Sequence, residues 1–280
     1  MKRGWPETPS EATATIVQTA HGPVGVVDEG PRDAACLLLI HGVPGTVRDF
    51  RWLAPTLTDH VRVVRFDMPG FGTTHLSSGL GFDVVDRANF VAGVIEALQL
   101  RDVTVVGHSM GGVVAAGVAT HHRSLVRGVG LWACPGLRPH LKYRLSFPTT
   151  LSAGMRLPAI GPALTRLVTH GFIAQGFPAG MGGANMQIVM DYAAGLDFPA
   201  HRRRVLSLDV PTMVAYCDDD HLVETEICVE LASACPPGPR SVYPTGGHNL
   251  QKTRALQLGE ALLGWLAPSA AGRKQPTVSA

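Results

Sequence analysis

Short apolar runs alternate with longer amphipathic stretches along most of this chain, and the two patterns predict strands and helices in turn. Residues 15–18 and 25–28, joined through His21-Gly22-Pro23, read as an opening antiparallel pair of strands. Residues 36–40 (CLLLI) are apolar throughout, as a strand covered on both faces requires. Residues 49–58 read as helix, 61–66 as a strand and 83–100 as a long amphipathic helix. A strand over 103–106, a small-residue helix ending near His121 and a strand over 126–133 follow.

The pattern then changes. Residues 135–208 contain no strand-like run and hold short helical stretches broken by Pro148, Pro158, Pro162, Pro178 and Pro199. Alternation resumes with strands at 212–216 and 241–243 and helices at 224–234 and 256–266. One interruption in a strand–helix series predicts an α/β fold with a mostly parallel, eight-stranded sheet and helices on both faces. Residues 1–134 and 209–267 would form that core, and 135–208 a helical insertion. Residues 268–280, rich in Ala, Ser, Pro and Gly, are expected to be a disordered tail.

Composition narrows the class without naming a chemistry. A chain of 280 residues, 45% hydrophobic and 16% charged, buries a large core as one domain with an insertion. A net charge of +2 gives no reason to expect nucleic acid or an anionic membrane surface. No run approaches the ~18 apolar residues of a membrane span, and Lys2 and Arg3 are not followed by the apolar segment of a signal peptide. Cys36, Cys134, Cys217, Cys228 and Cys235 are odd in number, lack a C-x-x-C spacing and read as small buried hydrophobes. A cytoplasmic location is the simplest expectation. No metal-ligand cluster or phosphate loop stands out, so neither a metal nor another cofactor is expected.

In a doubly wound sheet the ligand site lies at the carboxyl ends of the strands, so the residues that end each strand matter most. They are His41-Gly42-Val43, Asp67-Met68-Pro69-Gly70, Ser109, Asp218-Asp219-Asp220 and Gly246-Gly247-His248. Gly107-His108-Ser109-Met110-Gly111 lies between a strand and a helix, with glycines two residues either side of the serine. A turn that sharp has no room for neighbouring Cβ atoms and projects the serine hydroxyl into a cleft. A serine needs an adjacent base, and the base needs a carboxylate to fix its tautomer. His248 is the base the chain order favours, and Asp220 the preferred acid. Asp218 and Asp219 remain alternatives, in that order. The strand before the insertion ends in Trp132-Ala133-Cys134-Pro135-Gly136, with no carboxylate to compete. Val43 and Met110 are placed to supply the two backbone N–H groups that an oxyanion needs.

Taken together, HGVPGT (His41 to Thr46), FDMPGFG (Phe66 to Gly72), GHSMGG (Gly107 to Gly112), CDDDHLV (Cys217 to Val223) and GGHN (Gly246 to Asn249) make the chain resemble the α/β-hydrolase superfamily. The resemblance runs over roughly 17–266. It implies an α/β-hydrolase fold, a Ser109-Asp220-His248 triad, a Val43/Met110 oxyanion hole and a helical cap over about 135–208. His41 and Asp67 in such motifs shape turns. Haloalkane dehalogenases and epoxide hydrolases use an aspartate where this chain has Ser109. Carbon–carbon bond hydrolases of this superfamily usually carry Asn before the serine and Trp after the histidine, where this chain has His108 and Asn249.

What remains is acyl transfer to water. The leading expectation is a serine esterase acting on a small or medium apolar ester. The alternatives are carbon–carbon bond, lactone or thioester hydrolysis on the same triad, or a hydrolase-fold protein that only binds a ligand. The 135–208 segment holds four of the eight methionines, of which Met155, Met186 and Met190 are candidate substrate contacts. The glycine-rich stretch 176–183 is a candidate lid edge. The segment also carries eight Lys and Arg residues against Asp191 and Asp197, which reads as a solvated face more readily than as a guide for an anionic substrate.

Overall fold

The computed structural model describes Pro6, residues 8–174 and residues 183–267. The expected tail and most of the glycine-rich stretch, 176–182, lie outside these residues. Eight strands form one sheet in the order β1-β2-β4-β3-β5-β6-β7-β8. They are β1 (Thr15–Thr19), β2 (Gly22–Glu29), β3 (Cys36–Ile40), β4 (Arg62–Phe66), β5 (Val103–His108), β6 (Val126–Trp132), β7 (Thr212–Cys217) and β8 (Arg240–Tyr243). The first three strands in this order pair antiparallel and every other neighbouring pair is parallel.

The period of two along each strand divides the core. In β3, Cys36, Leu38 and Ile40 join one apolar cluster while Leu37 and Leu39 join the other. The first cluster packs under α1 (Val84–Ala97), α2 (Met110–His121) and α8 (Thr225–Ala234); the second packs under α10 (Ala255–Leu266). With both faces covered, β3, β5 and β7 are buried from end to end, which is why they read as continuous apolar runs.

Between β6 and β7 the chain forms α3 (Leu141–Ser146), α4 (Pro148–Met155), α5 (Gly161–Ala174), α6 (Gly183–Ala194) and α7 (Phe198–Leu206). Pro148, Pro162 and Pro199 sit in first turns, where a missing N–H costs no helical hydrogen bond, so they start helices rather than break them. The helix expected over 49–58 is instead two 3-10 turns, Val47–Phe50 and Ala54–Thr56. Pro55 cannot donate within a continuing α-helix there. A short helix, α9 (Leu250–Thr253), precedes α10. No helix among the described residues is long and apolar enough to cross a membrane.

Candidate active site

Ser109 stands alone between β5 and α2, with φ 53° and ψ −124°. Its N–H donates to the Trp132 carbonyl at 2.8 Å, tying the turn to β6. A Cβ on Gly107 would lie 2.0 Å from the Gly111 carbonyl oxygen, and one on Gly111 would lie 2.3 Å from that of Ile40. Both positions therefore admit only glycine, and the serine side chain is pushed out of the sheet at the strand ends.

His248 reaches the serine from the loop after β8. Its Nε2 lies 2.9 Å from Ser109 Oγ and its Nδ1 lies 2.8 Å from Asp220 Oδ2. The Asp220 side chain has no accessible surface, and its other oxygen accepts from the Leu222 and Val223 N–H groups at 2.8 and 3.2 Å. Burial alone opposes ionisation of Asp220. The hydrogen bond and charge of His248, with the two backbone donors, outweigh burial and hold the carboxyl below the usual carboxylate range.

Of the three adjacent aspartates, Asp220 meets the histidine and Asp219 does something else. Its carboxylate accepts from the Gly246 and Gly247 N–H groups at 3.1 and 2.7 Å. Those glycines have φ of 143° and 65°, and the loop they form delivers His248. Thr253 Oγ1 donates to the Gly246 carbonyl at 2.7 Å from the other side. Nothing in a run of three identical residues marks Asp219 for this task; it follows from which carboxylate the glycine loop crosses.

Val43 and Met110 line the same cavity as Ser109 and His248. Among the described residues, neither backbone N–H donates a hydrogen bond, and Met110 opens α2, where the helix dipole favours negative charge. The turn that carries Val43 is shaped as expected. His41 Nε2 accepts from the Met68 N–H at 2.9 Å, and Asp67 accepts from Val47 and Thr73 N–H groups at 2.9 and 2.8 Å.

The cavity holds about 350 Å³, at the lower end for a small-molecule site. Its walls are mostly apolar, with Tyr143, Leu145, Phe172, Leu222 and Val223 among them, and, beside Ser109 and His248, His140, Lys142 and Ser146 as polar exceptions. Met155, Met186 and Met190, expected above the serine, do not line it. They are 7%, 0% and 2% exposed and belong to the interior apolar cluster. Met186 and Met190, one turn apart, share the inward face of α6. The walls come instead from α3, α5 and the loop after Asp220; of these, Tyr143, Leu145 and Phe172 carry no sequence motif, while Leu222 and Val223 end the CDDDHLV run.

The model for the alpha/beta hydrolase family matches residues 37–258, which takes in all five of these strand-end loops. The chain belongs to the alpha/beta hydrolase family. One curated relative of this alpha/beta hydrolase, a magnesium-chelatase 30 kDa subunit from Rhodobacter capsulatus, is 31% identical over 117 residues, covering 41% of this chain and 39% of that protein. A 2-hydroxy-6-oxo-2,4-heptadienoate hydrolase from Pseudomonas putida is 26% identical over 233 residues, 77% of this chain and 83% of its own. The alignments span less than two thirds of the length of the first two curated relatives, 39% and 63%. An esterase from Exiguobacterium antarcticum has the same fold, with a TM-score of 0.72 at 18% identity over 91% of this chain and 100% of that one.

Proposed function

We propose that this alpha/beta hydrolase is a serine esterase that cleaves carboxylic esters of small to medium apolar substrates through an acyl-enzyme. One observation carries the reading. The unbroken hydrogen-bond chain from Asp220 through His248 to Ser109 opens on an apolar cavity of about 350 Å³. Ser109 Oγ attacks the ester carbonyl carbon as its proton passes to His248 Nε2. Val43 and Met110 N–H groups receive the oxyanion. The bond to the leaving oxygen then breaks, and His248 returns the proton to it. Water attacks the acyl-serine by the same route in reverse, giving the carboxylic acid and free Ser109. Residues 135–208 act as a cap that shapes the acyl side of the cavity. The five cysteines, all buried and unpaired, suit a reducing compartment such as the cytoplasm.

Ser109→Ala is expected to lower turnover of p-nitrophenyl butyrate by at least ~10³-fold, since a weakened triad leaves only the oxyanion donors. Turnover retained in that variant would remove the assignment. The heptadienoate hydrolase relative favours a second reading, carbon–carbon bond hydrolysis at the same three residues. Direct assay with a vinylogous diketone separates the two, because only the second reading expects its cleavage to exceed that of the ester.

A further inference from the structure

The last residue of β5, His108, takes no part in the reaction as written, yet its imidazole lies behind both halves of the site. It is 3% exposed, and its ring centroid lies 5.0 Å from that of His248. His108 Nε2 is 2.8 Å from the main-chain carbonyl oxygen of His248. A carbonyl only accepts, so the proton must sit on Nε2, leaving Nδ1 a bare lone pair. That Nδ1 is buried with no hydrogen-bond partner. It faces Gly42, where a Cβ would stand 3.0 Å from Nδ1 and 3.1 Å from the Ser109 Cβ. The ring is therefore wedged between the turn that carries Val43 and the loop that carries His248, with Ser109 next to it in the chain.

We propose that His108 is a positioning residue, whose Nε2–H fixes the backbone of His248 and so sets the separation of His248 Nε2 from Ser109 Oγ. The inference rests on the reading of Ser109 and His248 as nucleophile and base. Three features single out this ring. It spans elements 140 positions apart in sequence, and it ties the base by main chain, leaving both nitrogens of His248 free for Asp220 and Ser109. It also stays neutral: burial first, then the neighbouring His248, push its imidazole down to about 3. It therefore adds no charge beside the imidazolium that forms on His248 during acyl transfer. A shift of about 1 Å in a reacting group can cost on the order of a hundredfold in rate, so a tether at this point acts on the chemical step rather than on binding.

Two substitutions test it. Gln keeps a donor near the Nε2 position, and Leu fills similar space without one. In p-nitrophenyl butyrate hydrolysis, His108→Leu is expected to lose about 10- to 100-fold in kcat with KM within about twofold, and to slow fluorophosphonate labelling of Ser109 in proportion. His108→Gln is expected to recover most of that loss and to keep the acid limb of the kcat/KM profile where the wild type has it. Leu at wild-type kcat would overturn the proposal. So would equal losses in Leu and Gln with matching falls in melting temperature, because packing alone would explain them. An acid limb that disappears in His108→Gln would make His108 the titrating base and likewise overturn it. Failure of the esterase reading shows elsewhere, as Ser109→Ala retaining the wild-type rate.

Discussion

Asp220 differs from its two neighbours by a few ångströms and by everything that follows from them. Its carboxylate is closed off from solvent and held by three donors, the His248 ring and the Leu222 and Val223 N–H groups. Asp220→Asn preserves that shape but offers an amide where the His248 Nδ1–H needs an acceptor, which favours the wrong tautomer. The expected result is a fall of about 10³- to 10⁴-fold in kcat with little change in KM, read from steady-state ester hydrolysis. A loss of tenfold or less would mean that another carboxylate supports the histidine. Asp219, on the two glycine N–H groups, is the neighbour in a position to report that.

At the scale of elements, the β5–α2 junction is tightly determined by backbone packing. Gly107 and Gly111 pack backbone against backbone, and a Cβ on Gly112 would stand 2.6 Å from the Cys134 sulfur. Gly107→Ala has no flexible side chain to displace and is expected to cost about 3 kcal/mol or more in urea unfolding. Gly264, on α10, provides the contrast. A Cβ there meets nothing within 4 Å, so Gly264→Ala is expected to add about 0.5–1 kcal/mol through helix propensity. Equal effects at the two sites would mean that the turn yields as readily as an exposed helix face. The helices between β6 and β7 follow a looser logic. Prolines mark the first turns of α4, α5 and α7, and the faces the helices turn inward, not their composition, determine which residues reach the cavity.

Across the whole molecule, buried neutral histidines link stability to pH. His201 is 0% exposed and donates its Nε2–H to the Pro135 carbonyl at 3.0 Å, and burial pushes its pKa down to about 4. His108 is held at about 3 for the same reason. Both values lie below the unfolded ~6.5, so below that pH the unfolded chain takes up protons that the folded chain refuses. Their contribution is complete above about pH 6.5 and is lost as pH falls through the folded values near 4 and 3. Each proton is worth about 1.4 kcal/mol per pH unit within that window. Asp220, whose pKa is depressed, adds its own loss only below the ordinary carboxylate range. Urea unfolding between pH 6.5 and 4.5 is expected to show this slope, and His201→Gln to lower it by about one proton. An unchanged slope in that variant would assign the acid sensitivity to other groups.

Much of this architecture is local information, and so it is legible in the sequence. Apolar runs such as Cys36–Ile40 mark the strands, and Asp83 caps α1 where the amphipathic pattern begins. Gly107 and Gly111 announce a turn too tight for side chains, and the residues ending each strand must meet along one rim of a parallel sheet. On those grounds the chain by itself determined the fold, the order of its elements and the set of loops from which Ser109, His248 and an aspartate come. Only the tertiary structure decided which aspartate of three reaches His248, that Asp219 meets the glycine loop, and that the His108 ring meets the His248 main-chain carbonyl. It also turned Met155, Met186 and Met190 inward and left the cavity to Tyr143, Leu145, Phe172, Leu222 and Val223. The reason is physical. These outcomes depend on the approach, to within an ångström, of loops 28 to 140 residues apart, and hydrophobic periodicity carries no information at that range.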